Sequence, residues 1–384
     1  MWGFVTALND ILIPYLKNMF EFSNTQAQIV NFAFFGAYFV FALPSSSLIG
    51  KFGHQKSIVL ALMVIGSGAL LFYPAAEYHS FNFFLVALFI IASGITILQV
   101  SANPFVAALG PSDRASSRLN LAQGFNSLGT IIAPLMGAQL LLNSDDLSTQ
   151  NSGEAVQLPY IVLGISLIAI AIVFAFAKLP KLEISQEKST KKLKDFPHLI
   201  FGIIAIFFYV GAEVAVGSNI VFFLEMEEIA GFTEREAGFY VSIYWASAMV
   251  GRFIGAFLQT KYRPASILGI AGLIACALVL VGMFGKGDLA MYSVLAIGFF
   301  NSVMFPTIFS LSIKGLGDYT NTGSGLLIMA IVGGALIPPL MGYLSTDPIS
   351  GDPSHLQFAF IVPLVCYIYI AFYAFKAYKI KLKN

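Results

Sequence analysis

An all-α membrane protein, with twelve spanning helices in two pseudo-symmetric six-helix bundles, is the fold class this sequence predicts, and three observations carry it. Of the 384 residues, 58% are hydrophobic and 11% charged, with a mean hydropathy of +0.81. A soluble domain holds roughly 45–50% apolar and about 25% charged residues. The chain also repeats itself: Pro134-Leu135-Met136-Gly137 returns 205 residues later as Pro339-Leu340-Met341-Gly342. Finally, basic residues fall in alternate loops, as they do around membrane-spanning helices.

The repeat runs through the whole chain. Ser23 and Gln26 are matched by Thr233 and Glu236 at a shift of 210, and both pairs have the spacing of a capping box. Lys51-Phe52 pairs with Lys261-Tyr262 at the same shift, and Asn103-Pro104-Phe105 falls opposite Phe305-Pro306-Thr307 at 202. Registers that drift by a few residues and stay in order indicate two copies of one unit, the pattern of two-bundle transporters.

A hydrocarbon core about 30 Å thick takes about 20 residues of helix. Twelve candidate segments can be placed, at approximately residues 1–17, 27–50, 57–76, 81–109, 117–142, 159–179, 199–223, 236–259, 265–285, 289–313, 321–344 and 356–378. The first is short, Met1 to Leu16 covering about 24 Å at 1.5 Å per residue, and reads as truncated by a late start codon or a trimmed chain. A signal peptide is disfavoured, because no basic leader or small-residue cleavage site is present. The polar stretch Pro180 to Pro197 carries Lys188, Lys191, Lys192 and Lys194. This divides the chain into an N-terminal bundle (1–179), a linker (180–198) and a C-terminal bundle (199–384) ending in a short basic tail. Pro104, Pro134, Pro306, Pro338 and Pro339 are expected to kink their helices and to serve gating, with Gly129, Gly333 and Gly334 allowing close approach.

With the N-terminus inside, the inside loops hold Lys51, Lys56, Arg114, Arg118, Lys178, Lys181, Arg252, Lys261, Arg263 and Lys314, besides the linker lysines and Lys376, Lys379, Lys381 and Lys383 of the tail. Only Lys17, Arg235 and Lys286 remain outside, so both termini are expected in the cytoplasm. Cys276 and Cys366 lie in apolar segments and read as packing residues. All four histidines lie at segment ends or in loops, which argues against a histidine relay inside the membrane.

Polar residues within the apolar segments are the functional candidates. Asp10, beside Asn9, and Glu213 are carboxylates placed deep in the membrane, where a charge costs about 2.5–3.5 kcal/mol on insertion scales. Each needs a cavity, a partner, a proton or a bound cation. Asn120, Gln123 and Ser127 follow an i, i+3, i+7 stripe, with Asn126 close to the same face, and Gln99 and Asn103 form an i, i+4 pair. Asn219 is the repeat mate of Asn9, and Asn301 that of Gln99. Such amides can also join helices to one another, but their matched placement in both halves favours a shared polar cavity. Trp2, Tyr38, Tyr209, Tyr244 and Trp245 offer aromatic faces of the kind a pyranose ring uses.

These residues resemble a known family. Asn9-Asp10-Ile11-Leu12-Ile13-Pro14, Tyr73-Pro74-Ala75-Ala76-Glu77, Ala102-Asn103-Pro104-Phe105 and Leu121-Ala122-Gln123-Gly124-Phe125-Asn126-Ser127 are similar to the fucose:proton symporter family of the major facilitator superfamily. Tyr209-Val210-Gly211-Ala212-Glu213-Val214-Ala215 and Gly333-Gly334-Ala335-Leu336-Ile337-Pro338-Pro339 also resemble its bacterial sodium-coupled glucose/galactose branch. The resemblance implies the major facilitator fold and a midplane sugar site that opens to each side in turn. It also implies that Asp10 is the essential carboxylate and that Trp2, Gln123 and Asn126 belong to the sugar cavity. Gln99 departs from the fucose branch, which has a glutamate there. The Gly50-Lys51-Phe52-Gly53 loop lacks the superfamily's usual acid.

An amide cannot take a proton at any relevant pH, so the departure at Gln99 shifts the coupling ion toward sodium. A hard cation wants several oxygen ligands and about one negative charge. Asp10 with oxygens from Asn9 or Asn126 is the expected sodium site. A proton would need only Asp10 or Glu213 and stays open as the alternative. The expected sugar-binding set is Trp2, Gln99, Asn103, Asn120, Gln123, Asn126, Glu213, Asn219, Trp245 and Asn301. The expected partners are a hexose, sodium and the lipid bilayer of a bacterial inner membrane, with no cofactor beyond the coupling ion, no nucleic acid and a monomeric state. No HExxH, GxSxG or glycine-rich phosphate loop supports an enzyme, and no appended domain supports a non-transporting sugar sensor.

Overall fold

The computed structural model describes residues 2–20, 24–137, 154–180, 192–346 and 355–379. Each of the twelve expected segments is mainly helical where it is described, with breaks inside them at Leu71, at Ser302 and Val303, and at Phe360. The first half comprises α1 (Trp2–Met19), α2 (Asn24–Leu70), α3 (Phe72–Glu77), α4 (Phe81–Ala108), α5 (Ala115–Gly137) and α6 (Glu154–Phe176). The second comprises α7 (Pro197–Glu225), α8 (Glu234–Lys261), α9 (Pro264–Phe284), α10 (Gly287–Asn301), α11 (Met304–Ile313), α12 (Thr320–Met329), α13 (Gly333–Ser345), α14 (Leu356–Ala359) and α15 (Ile361–Phe375). Among the described residues, nine helical stretches are long and apolar enough to cross a membrane. One of them, Phe32–Glu77, covers the expected span 57–76 and most of 27–50.

Local chemistry explains the starts and breaks. Gly53 interrupts α2 at φ 78° and ψ 169°, a conformation that favours glycine, and so separates two membrane-length helices. At the head of α8, the Thr233 N–H donates to Glu236 Oε2 at 2.9 Å while the Glu236 N–H reaches Thr233 Oγ1 at 3.4 Å, completing the expected capping box. Its counterpart at Ser23 and Gln26 lies outside the described residues. Pro104 lies inside α4, and Pro338 and Pro339 lie inside α13. Pro306 instead falls in the first turn of α11, after an interruption at Ser302 and Val303, where its missing N–H forfeits little. Pro134 lies on α5, its side chain outside those described.

The chain forms two compact units. Unit 1 comprises Met1–Phe105, Asn126–Ser185 and Ser324–Met329; unit 2 comprises Val106–Phe125, Gln186–Gly323 and Ala330–Asn384. In unit 1, α2 packs on α6: Gln55 Nε2 donates to the carbonyls of Phe174 and Ala177 at 2.9 and 2.6 Å. Phe72 of α3 stacks on Tyr160 with ring centroids 3.9 Å apart. In unit 2, α7 and α13 approach so closely that a Cβ at Gly211 would come within 2.3 Å of Ile337, the small-residue contact that lets membrane helices pack. Large apolar side chains remain on the outside, with Phe176 84% and Phe284 78% exposed, as lipid-facing helices require.

Candidate functional site

In unit 1 the expected polar residues form two separate contacts, one between α4 and α2 and one between α5 and α1. Gln99 and Asn103 are buried one turn apart on α4. Gln99 Nε2 donates to the buried Tyr38 hydroxyl at 3.0 Å, while Asn103 Nδ2 has no hydrogen-bond partner among the described residues. Asn126 of α5 accepts from the Gly3 amide at 2.8 Å through Oδ1. This bond places the expected cation ligand beside the first turn of α1, where the half-buried Trp2 stands. Asn9 and Asp10 lie further along the same helix, and their side chains are outside those described.

Unit 2 holds the remaining candidates in three groups. The first is a buried amide and hydroxyl cluster. Asn120 Nδ2 donates to Gln259 Oε1 at 2.8 Å and to the Ser116 carbonyl at 3.0 Å, and Gln259 Nε2 donates to Thr307 Oγ1 at 2.7 Å. Asn120 and Gln123 of this unit are buried, as is Ser127, which belongs to unit 1. Asn120 itself is fully buried and bonded to α8 at the Gln259 end.

The second group centres on Glu213. Tyr209, Glu213 and Gly217 follow one another at i, i+4 and i+8 along α7, while Trp245 and Arg252 stand seven residues apart on α8. These two stripes meet. The Tyr209 hydroxyl donates to Glu213 Oε1 at 2.6 Å, and Arg252 Nη2 lies 3.9 Å from the same oxygen. Arg252 Nη1 also donates to the main-chain carbonyl of Gln123 at 3.4 Å. Trp245 lies over Gly217, where an added Cβ would come within 3.2 Å of the indole. A larger side chain at 217 would therefore displace the ring.

The third group is Asn301, whose Nδ2 donates to the Tyr244 hydroxyl at 3.0 Å; both residues are fully buried. Tyr244 stands edge-on to Trp245, with centroids 5.2 Å apart. Asn219 is half-buried and turns its Nδ2 back to the Ala215 carbonyl at 2.8 Å.

Arg252 corrects the sequence reading. Counted there with the inside loops, it lies within α8 with its side chain 13% exposed and paired to Glu213. The pair explains how a membrane helix accommodates it, because each charge supplies the other's partner. A signal was present in the sequence: the position falls seven residues inside the end of its expected segment, about 10 Å at 1.5 Å per residue. Gln259 and Thr307, which complete the Asn120 cluster, carried no comparable signal.

The chain matches a family model described as Major Facilitator Superfamily over residues 2–339. It is 46% identical over 378 residues to a protein of Brucella abortus named glucose/galactose transporter, covering 97% of this chain and 90% of that one. It is 34% identical over 399 residues to the L-fucose-proton symporter of Escherichia coli, covering 97% and 90% of the two chains. Its fold matches the crystal structure of a Major Facilitator Superfamily transporter, FucP, in the outward conformation, with a TM-score of 0.86, 33% identity and coverage of 97% and 95%.

Proposed function

The chain belongs to the Major Facilitator Superfamily and is a sugar transporter rather than an enzyme, and from that premise we propose that it carries a glucose- or galactose-type hexose by cation-coupled symport. The near-full-length likeness to a protein named glucose/galactose transporter carries the hexose reading. The residues fit it: buried amides can exchange hydrogen bonds with hydroxyls, and aromatic rings can meet C–H faces. In this reading the bundles at 1–179 and 199–384 alternate access to the sugar in a monomer. It resides in a bacterial plasma membrane with both termini in the cytoplasm.

Sodium is the proposed coupling ion. Support comes from Gln99, an amide committed to the Tyr38 hydroxyl at 3.0 Å and unable to carry a proton. Asp10 then supplies the negative charge, with Asn9 and Asn126 as oxygen donors. Sodium binding would neutralise Asp10, lower the cost of enclosing it and raise hexose affinity by reciprocal linkage. Proton coupling is the second reading, favoured by the likeness to the L-fucose-proton symporter. Hexose uptake into vesicles, driven by a sodium gradient with the proton gradient collapsed, separates the two. Stimulated accumulation is expected; accumulation that follows only the proton gradient would establish the second reading.

A further inference from the structure

A cleft of about 370 Å³ opens at the start of α8, lined by Phe232, Arg235, Glu236, Phe239 and Tyr240. Apart from Glu236 in its capping box, none of these residues has a part in the chemistry described above. Phe232 stacks on Tyr240 with ring centroids 4.9 Å and planes 21° apart, and Phe239 stands edge-on to Tyr240 at 5.8 Å. Beside these rings lie a guanidinium and a carboxylate, and the bonds from Thr233 occupy only Oε2 of Glu236. The aromatic wall is also preformed. Gly231, at φ 60°, donates its N–H to the Met226 carbonyl at 3.0 Å, and the Phe232 N–H donates to the Leu224 carbonyl at 3.1 Å. The same loop is tied sideways, since the Gly287 N–H reaches the Glu228 carbonyl at 2.9 Å and Lys286 Nζ lies 2.7 Å from Glu228 Oε2. A ring fixed in this way loses little freedom when a ligand meets it.

The lining narrows the ligand. Glu225, Glu227, Glu228 and Glu234 flank the cleft in sequence, and Arg235 is the one base between residues 225 and 240, so an anion would meet a surplus of negative charge. A purely apolar ligand would leave the guanidinium and carboxylate without a use. A pyranose suits the whole set: its C–H face meets aromatic rings, a carboxylate accepts from its hydroxyls, and a guanidinium donates to its oxygens. The volume falls within the roughly 300–1,000 Å³ of small-molecule sites. Tyr240 precedes Trp245 by five residues, about 7.5 Å along α8 at 1.5 Å per residue, so a sugar held here is a short step from the indole over Gly217. We propose that this cleft is a second, weaker hexose subsite, which captures the sugar before it reaches the transport site. Phe232 and Tyr240 form its aromatic wall, and Arg235 and Glu236 address neighbouring hydroxyls. The inference rests on the hexose-transport reading.

The test places a reporter in the wall. Phe232→Trp keeps an aromatic ring there, and titrating the purified full chain with glucose is expected to change its fluorescence beyond the change in the wild type, with a dissociation constant on the order of 1–10 mM. Adding Arg235→Ala or Tyr240→Ala should weaken that response by roughly 10-fold, the loss of one good contact. The response should persist with Gly217→Leu, which displaces Trp245 instead. In proteoliposomes, Arg235→Ala and Tyr240→Ala should lower the ratio of maximal rate to KM a few-fold, equally for entry and exit, because a capture site speeds arrival and departure alike. Should Phe232→Trp fail to fold, saturation-transfer NMR of glucose on the wild type, compared with Arg235→Ala, takes the same measurement. A response abolished by Gly217→Leu would show that the reporter senses the transport site and would overturn the proposal. So would a reporter silent to glucose while the wild type exchanges hexose; a response to added phosphatidylethanolamine in its place would assign the cleft to a lipid headgroup. Absence of hexose exchange by the wild type would overturn the transport reading and this proposal with it.

Discussion

Gln99 and Asn301, mates in the repeat, each donate an amide hydrogen to a buried phenol at 3.0 Å, Tyr38 in unit 1 and Tyr244 in unit 2. A buried hydroxyl left alone costs more than its bond returns, so each amide is fixed by what it satisfies. Asn301→Ala is accordingly expected to destabilise the protein by about 1–3 kcal/mol, read as earlier thermal unfolding in detergent; unaltered unfolding would show that the bond carries no weight. Gln99→Glu has a different consequence, because it replaces a group that cannot titrate with one that can. Uptake by that variant is expected to gain a proton-driven component absent from the wild type, measured with an imposed pH gradient and no sodium. Asp10→Asn removes the charge proposed to bind the ion. Downhill hexose exchange should survive in it while accumulation against a gradient disappears, and full accumulation would remove Asp10 from the coupling role.

At the scale of elements, α7 and α8 meet through side chains of very different size, and Gly217 permits the approach. A Cβ there would stand 3.2 Å from the Trp245 ring, so Gly217→Ala displaces the indole by a few tenths of an ångström and Gly217→Leu expels it. Apparent hexose affinity should fall by a few-fold and by about 10-fold or more respectively, the range of one lost aromatic contact, with maximal rate little changed. Equal affinities in the two variants and the wild type would mean that the indole does not touch sugar. The helices themselves were legible because each is a long apolar run, and Thr233 with Glu236 announced the start of α8 through a local capping pattern. Interhelical partners were not legible. Arg252 was tallied as a loop charge because the positive-inside rule reads a cation as a boundary marker, and its partner Glu213 lies on the preceding helix. Asn120 showed its inward face by spacing, but nothing local to it indicates Gln259, 139 residues away.

Over the whole molecule, the repeat and the compact units do not coincide. Val106–Phe125 is encoded in the first copy yet belongs to unit 2, and Ser324–Met329 is encoded in the second yet belongs to unit 1. Among the described residues, polar bonds hold the first stretch at several points, beside an edge-on contact of Phe125 with Phe253 at 5.6 Å. Ser116 Oγ and Ser310 Oγ lie 2.5 Å apart, Ser117 Oγ donates to the Ala256 carbonyl at 2.6 Å, and Asn120 meets Gln259. Hydrogen bonds net about 0.5–1.5 kcal/mol each, so these bonds can break and re-form within a transport cycle. If the two sequence halves rock against each other to alternate access, the start of α5 must leave α8 and α11 once per cycle. A covalent link at that seam would stop the cycle. With Cys276 and Cys366 first replaced, Ser116→Cys and Ser310→Cys together put two sulfurs at the spacing a disulfide of about 2.05 Å requires after slight adjustment. Oxidation should abolish hexose counterflow and reduction restore it, with each single variant active throughout. Undiminished counterflow by protein shown to be fully cross-linked would mean that the seam stays closed during transport and that access alternates by another movement.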